Sequence, residues 1–330
     1  MKDRRFRRWM NRTDPDGLDG SGESHSGAEA EMMLEAPTGL WRGAWRRLLR
    51  RKTGVFGLSI IGSLLVVAIF APLIAPYDPT DVLIGKEDVK RRDSPCVHLL
   101  GCDGDTPQHI LGLDGNVRDQ FSRIVYGSRV SLALGFLIVG LAFSVGSLLG
   151  AVAGFWGGWP DNVIMRFMDV ILGFPALLLA IAIVAALGPG LRNTMLAIAI
   201  VSVPAYARVM RSSVISIREL DFVAASRALG ASKIRILWSR VVPNALTPLV
   251  VIGTLGIATA ILDMAAFGFL GLGAQEPTAE WGSMLARERA QVFSSPHLVF
   301  FPGLAIMITV LGFNLLGDGV RDALDPSLGE

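Results

Sequence analysis

Long apolar runs alternate with polar stretches along this chain, and the lengths of the runs carry the first inference. A helix needs about 20 mostly apolar residues to cross the hydrocarbon core of a bilayer, because no backbone polar group can stay unpaired there. One such run lies between Lys52 and Asp78, and a second between Arg129 and Asp161. A third covers 163–187, with Arg166 and Asp169 near its start, and a fourth covers 192–211, shorter and interrupted by Pro204. The fifth covers 245–269 and the sixth 299–316. Six spans predict an all-α integral membrane protein with both ends on one side.

Composition agrees with the pattern. Apolar residues make up 51% of the 330 positions and charged residues 18%, and the mean hydropathy is +0.48, outside the range of a soluble domain. The net charge of +2 is too small to point to nucleic acid, and the basic residues are clustered instead of spread. Arg42, Arg46, Arg47, Arg50, Arg51 and Lys52 crowd the entrance to the first span, which predicts a cytoplasmic N-terminus. Arg208, Arg211, Arg218, Arg227, Lys233, Arg235 and Arg240 lie around the connection between spans four and five, which falls on the same side. Lys86, Lys90, Arg91, Arg92, Arg118 and Arg123 pull the other way, but their segment is long and rich in aspartate, and long loops weigh little in the rule. The head, 1–40, is polar, lacks the apolar core of a cleavable signal and reads as disordered and cytoplasmic.

The segment between spans four and five reads as two short helices hinged at Gly230. Asp221 is the expected N-cap of the first, and Ala224, Ala225, Ser226 and Ala228 give it a small-residue surface. The second helix places Ile234, Leu237 and Val241 on one stripe, away from Lys233, Arg235 and Arg240, and is expected to end at Pro243. A short amphipathic helix of this kind suits docking in a partner's groove, the plainer reading being a basic connector.

The stretch DFVAASRALGASKIRILWSRVVPN resembles the EAA loop of ABC-transporter permeases, in the form found in the dipeptide and oligopeptide permease family. Ala225, Arg227, Gly230, Arg235 and Pro243 fit that pattern, whereas Ala224 stands where the motif has its glutamate and Ser226 where it has its second alanine. HILGLDGNVRDQFSRIVYGSRVSL, with Asn116 and Val117 as departures, FGFLGLGAQEPTAEWGSML and FFPGLAIMITVLGFNLLGDGVRDALDP resemble further stretches of the family, in the same order. An acidic residue that usually precedes the FLGLG run appears here as Met264, with Asp263 beside it. The likeness covers roughly residues 40–328, and several long matches in sequence order are more specific than one motif.

The resemblance implies a six-helix type I ABC importer permease fold, the second ("C"-type) permease of a binding-protein-dependent importer of peptides or similar small solutes, in the plasma or inner membrane. It implies a coupling helix that seats in an ATPase subunit through Phe222, Ala225, Arg227, Gly230, Ala231, Arg235 and Pro243. The implied partners are a second homologous permease, two ATP-binding ATPase subunits, an extracytoplasmic solute-binding protein and the lipid bilayer, without nucleic acid. ATP and magnesium would sit on those ATPases, with no cofactor on this chain, which carries no Walker-type GxxxxGK[ST] loop.

The remaining candidates keep two readings each. Asp169 and Asp263 either line a solute path or, near span ends, reach the headgroup region. Cys96 and Cys102, on the exterior in this topology, are placed for a local disulfide, with free thiols or a zinc site shared with His98 and His109 as alternatives. Segment 116–128 puts Val117, Phe121, Ile124 and Val125 on one face, as in an interfacial elbow helix on the outer leaflet or a helix packed on protein. GSLLGAVAG in the second span permits close helix packing.

The expected layout is a disordered head (1–40), a basic flank and first span (41–76), an extracytoplasmic loop with its elbow (77–128), a core permease domain (129–320) holding the coupling loop (212–243), and a cytoplasmic tail (321–330). The rival is a secondary transporter driven by an ion gradient, which favours broken helices with acids near mid-membrane. An intramembrane enzyme ranks below both, since HExxH, GxSxG and a convergent carboxylate pair within a span are all missing from the sequence.

Overall fold

The computed structural model describes residues 40–102 and 107–324, so the head and most of the tail lie outside it. Contacts divide the chain into two units between Arg46 and Arg47, and the helical bundle lies in the second. A basic helix, α1 (Leu40–Arg50), precedes the first span, α2 (Lys52–Ile69), which is followed by a single turn, α3 (Ala71–Ile74). The bundle continues with α4 (Gln120–Trp156), α5 (Gly158–Leu172), α6 (Ala176–Leu187) and α7 (Leu191–Arg218). Then come α8 (Asp221–Ala228), α9 (Lys233–Ile236), α10 (Val242–Phe269), α11 (Trp281–Glu288) and α12 (His297–Leu324). Among the described residues only two isolated β-bridges accompany the helices.

Among the described residues, five helical stretches are long and apolar enough to cross a membrane, and the pair α5 and α6 makes a sixth when counted as one span. That pair is bent by 90°. The bend follows from the sequence Gly173-Phe174-Pro175: proline disfavours the helical region for Phe174, and Pro175 restarts the chain as the N-cap of α6. The expected straight third span is therefore two pieces. The fourth is longer than expected, because α7 runs unbroken for 28 residues with Pro204 buried inside it. Packing against α4 holds the helix together where the missing N–H would otherwise weaken it.

The α4–α7 contact shows how the core closes. Gly146, Gly150 and Gly154 recur every fourth residue on α4 and so share one face. A Cβ at these positions would collide with the α7 backbone at Val203 and Ala207, at Ala207 again, and at Arg211. Small residues spaced this way let two backbones approach where lipid supplies no hydrophobic drive. The same device joins the ends of the bundle, where Gly319 meets Gly54 and the Arg47 Nε donates to the Ala323 carbonyl at 2.8 Å. The beginning of the first span and the end of the last thus lie side by side, as an even number of crossings requires.

Segment 116–128 does not form a separate elbow. Its part from Gln120 onward is the opening of α4, whose 37 residues reach about 55 Å at 1.5 Å each. Asp119 caps it by accepting from the Ser122 N–H at 2.7 Å, and Val117 sits before it in a left-handed turn at φ +57°, buried with Leu83 and Leu113. The hydrogen-bonding demand of Asp119 and the tight turn at Val117 fix the helix start.

The polar segment 77–119 is held by polar groups. Cys96 and Cys102 are joined in a disulfide, with Cα atoms 5.5 Å apart. Arg118 grips Asp114 at 2.8 Å and forks onto Glu276 at 2.6 and 3.0 Å, and Arg92 meets Glu288 at 2.8 Å. Arg287 completes the cluster on Glu276. His109 lies between Asp119 and Glu87, each 3.1 Å from a ring nitrogen. At α11, Glu280 caps the helix through the Gly282 and Ser283 N–H groups at 2.8 Å each; burial pushes its carboxyl above the usual range, against those hydrogen bonds.

Candidate functional site

The hinged loop grows directly out of two spans. α7 ends at Arg218, whose Nη1 donates to the Gly154 carbonyl at 2.6 Å and ties the loop's start to the end of α4. α8 begins at Asp221, but its N-cap is Leu220 and no side chain caps it, so Asp221 is the first helical residue, where its charge favours the helix dipole. The helix stops at Gly230, with φ +80° and nothing within 4 Å of a Cβ there. The Ala231 N–H reaches back to the Ser226 carbonyl at 3.2 Å, closing the helix end. Ser232 caps α9 by accepting from the Arg235 N–H at 3.4 Å.

Pro243 does not end the second helix. A π turn, Leu237–Val241, links α9 to α10, and Lys233–Phe269 forms one stretch of 37 residues. Proline near the start of α10 lacks a donor, and the wider π turn absorbs the mismatch while the Asn244 amide donates to the Arg240 carbonyl at 2.6 Å. Mechanically, the second loop helix and the fifth span are one rod.

The loop is anchored from beneath and bare on top. Val223, Ile236, Leu237 and Val241 are buried with Met210, Val214, Ala245 and Leu249 in a core of their own. The expected stripe is thus half right: Leu237 and Val241 face inward, but Ile236 joins them and Ile234 faces out. On the open side Leu229 is 88% exposed, Ile234 63%, Trp238 49% and Phe222 40%. Ala225, Arg227, Gly230, Arg235 and Pro243 are exposed with them, and Ala231 is half-buried against the small core. Sequence reasoning named Phe222 and missed Leu229 and Trp238; Trp238 lies one turn past Ile234, a spacing that shares a face. Four large apolar side chains thus stand exposed beside Arg227 and Arg235.

The in-span acids separate into two kinds. Arg211 forks onto Asp161 at 2.5 and 2.6 Å, and Arg208 meets Asp169 at 2.6 Å. Arg208 is ten residues before the end of α7, so its pair with Asp169 sits about 15 Å inside that helix. Asp161, Asp169, Arg166 and Arg211 line a polar cavity of about 520 Å³. Asp263, in contrast, faces an apolar cavity, while its neighbour Met264 is buried in the main core. Among the described residues no cluster of His, Cys, Asp and Glu is placed to hold a metal ion.

A helical bundle with a bent span, an even number of crossings and a bare, basic platform on one end defines a membrane transport subunit of the importer-permease class. Residues 146–330 match the family described as binding-protein-dependent transport system inner membrane component, and residues 39–94 match the N-terminal TM domain of oligopeptide transport permease C. The chain belongs to this family of binding-protein-dependent permeases. It is 47% identical over 288 residues to a dipeptide transport system permease protein of Alkalihalophilus pseudofirmus, covering 87% of this chain and 90% of the relative. It is 43% identical to a di/tripeptide transport system permease protein of Pseudomonas aeruginosa (92% and 97% covered) and to a glutathione transport system permease protein of Escherichia coli (87% and 91%). Its fold is that of a chain of the MetNI methionine ABC transporter in an inward-facing conformation, with TM-score 0.51 and 20% identity over 62% of this chain and 97% of that one. The family and the fold agree with a permease subunit of an ATP-driven importer and lend nothing to the ion-gradient alternative.

Proposed function

We propose that this chain is the second of two homologous permeases in an importer of short peptides or similar small solutes, the class for which its relatives are named. Two ATPase subunits, carrying ATP and magnesium, dock on the platform of α8 and α9 through Phe222, Ala225, Arg227, Gly230, Ala231, Arg235 and Pro243, together with Leu229, Ile234 and Trp238. The platform and both chain ends face the cytoplasm, a solute-binding protein docks on the opposite end, and the chain itself is non-catalytic. The polar cavity with Asp169, and the cavity with Asp263, line its half of the path.

One observation carries the reading: the exposed apolar platform is continuous with the fifth span through Lys233–Phe269, so a partner that pulls on α9 moves α10. A hydrophobic surface rimmed by Arg227, Lys233 and Arg235 is built for a separate chain.

Gly230 supplies the test. A β-branched residue is strained at φ +80°, whereas asparagine tolerates that region. In the reconstituted importer, Gly230→Val is expected to lower ATP-driven uptake to below about a tenth while ATP hydrolysis continues, and Gly230→Asn to keep most of it, the backbone penalty being about 1–2 kcal/mol. Normal uptake by Gly230→Val would show that the platform is not the coupling element.

A further inference from the structure

A second cavity, of about 280 Å³, opens between α4, α7 and α10. Val139 and Leu255 contribute apolar wall, and Thr259 and Asp263 lie on one face of α10 at the helical spacing set by Gly256. Asp263 has no ion-pair or hydrogen-bond partner among the described residues, unlike Asp161 and Asp169. Tyr206, which lines the same cavity, is 4% exposed, yet its hydroxyl also has no partner among the described residues. That hydroxyl lies against Gly256, where any Cβ would overlap it, so the glycine keeps the Tyr206 tip directed at the cavity.

An unpaired carboxylate within a span is costly against lipid and faces a partner or a wet cavity. Here it stands with an unspent hydroxyl at the end of an apolar slot whose volume equals about nine waters at about 30 Å³ each. Three donors on one small head are what this arrangement lacks. A metal ion would require more oxygen ligands than one carboxylate and two hydroxyls provide. A protonated primary amine fits: its N–H groups reach Asp263, Tyr206 and Thr259, while a short side chain lies on Val139 and Leu255.

We infer that Asp263, Tyr206 and Thr259 form a subsite within the membrane for the protonated amine of a small solute crossing the path, resting on the reading above that this chain lines that path. The subsite screens solutes by charge after they leave any external protein, and α10, which carries Thr259 and Asp263, continues the rod that begins at the platform.

The test uses the full importer in lipid nanodiscs, with Thr259→Cys as a reporter. Cys96 and Cys102 are joined, so the new thiol is the one free thiol of this chain. Its rate of modification by an ammonium-bearing thiosulfonate is compared with that by an uncharged one of similar size, read by mass spectrometry of this chain. The ammonium reagent is expected to be favoured about tenfold with Asp263 present, and the preference to vanish in Asp263→Asn and persist in Asp263→Glu. The same ratio in Asp263→Asn as in the parent would overturn the subsite. Ala205→Cys, on the α7 wall of the cavity, repeats the measurement if the first reporter perturbs folding. ATP-driven uptake of dialanine by the unmodified importer is measured separately: its absence would sink the permease reading while leaving the charge preference to decide the subsite.

Discussion

The two ends of the bundle solve opposite problems. At one, segment 77–119 buries its charges against each other: Arg118 on Asp114 and Glu276, Arg92 on Glu288, His109 on Asp119 and Glu87, with a disulfide closing the 96–102 turn. At the other, α8 and α9 lie over an apolar core, and among the described residues Arg227, Lys233, Arg235 and Arg240 enter no ion pair. Where the buried charges are paired within the chain, the segment forms a frame. Where apolar and cationic groups stay uncommitted, the surface is the one proposed above to receive another protein.

The frame breaks most severely. Arg118 is 4% exposed in its side chain and holds two carboxylates, so Arg118→Ala leaves the buried Asp114 with Arg123 alone, at the longer distance of 3.5 Å. Removing one partner of a buried pair costs about 3–5 kcal/mol. Hydrogen exchange across 77–119 should accelerate strongly, while ATPase subunits still copurify with the chain. Loss of the ATPases together with unchanged exchange would invert the comparison.

The platform should behave the other way. Trp238→Ala removes a half-exposed aromatic on the bare face, above a core that it does not enter. Hot-spot aromatics are worth about 2–4 kcal/mol of association. The ATPase affinity should fall by that amount, measured by titrating purified ATPase onto the permeases in nanodiscs, with the thermal unfolding of the membrane bundle unmoved. Equal losses in both measurements would mean that Trp238 supports the fold instead of a partner.

The contrast also explains what was legible in the sequence. Spans are legible because the bilayer imposes a length and forbids polar backbone, so α2, α4, α10 and α12 follow from hydropathy alone. The platform's place was legible from its glycine, its charges and its likeness to the EAA loop. What escaped depends on three-dimensional neighbours. Proline misled at Pro204 and Pro243, where packing on α4 and a π turn carry the helix through, and was passed over at Pro175, where the chain does break. Arg208 and Arg211 read as orienting charges, but each is drawn to an aspartate on α5 that no linear spacing predicts. Asp263 lacks such an arginine and faces an apolar cavity, facts invisible until the helices are assembled.

The smallest expected effect lies in the frame and is a matter of protons. His109 is 3% exposed in its side chain, with Nδ1 facing Asp119 and Nε2 facing Glu87, and the Tyr77 ring packs 5.3 Å away with its hydroxyl 3.2 Å from Glu87. A neutral imidazole carries one N–H and can serve only one of the two carboxylates; the imidazolium serves both. Burial opposes that charge, but the hydrogen bond and charge of Asp119, with those of Glu87, outweigh it and hold His109 above its ordinary value. Burial and the charge of Glu87 push the Tyr77 hydroxyl up to about 12, so it stays a neutral donor throughout. Because the folded value exceeds the unfolded one of about 6.5, the stabilisation is complete below about pH 6.5 and drains away as pH rises through the folded value. Exchange protection of 77–119 should therefore decline from pH 6 to pH 9, and His109→Gln should flatten that decline while leaving the platform's protection unchanged at every pH. A pH dependence that survived His109→Gln would assign the sensitivity to another group and strip the frame of its titrating member.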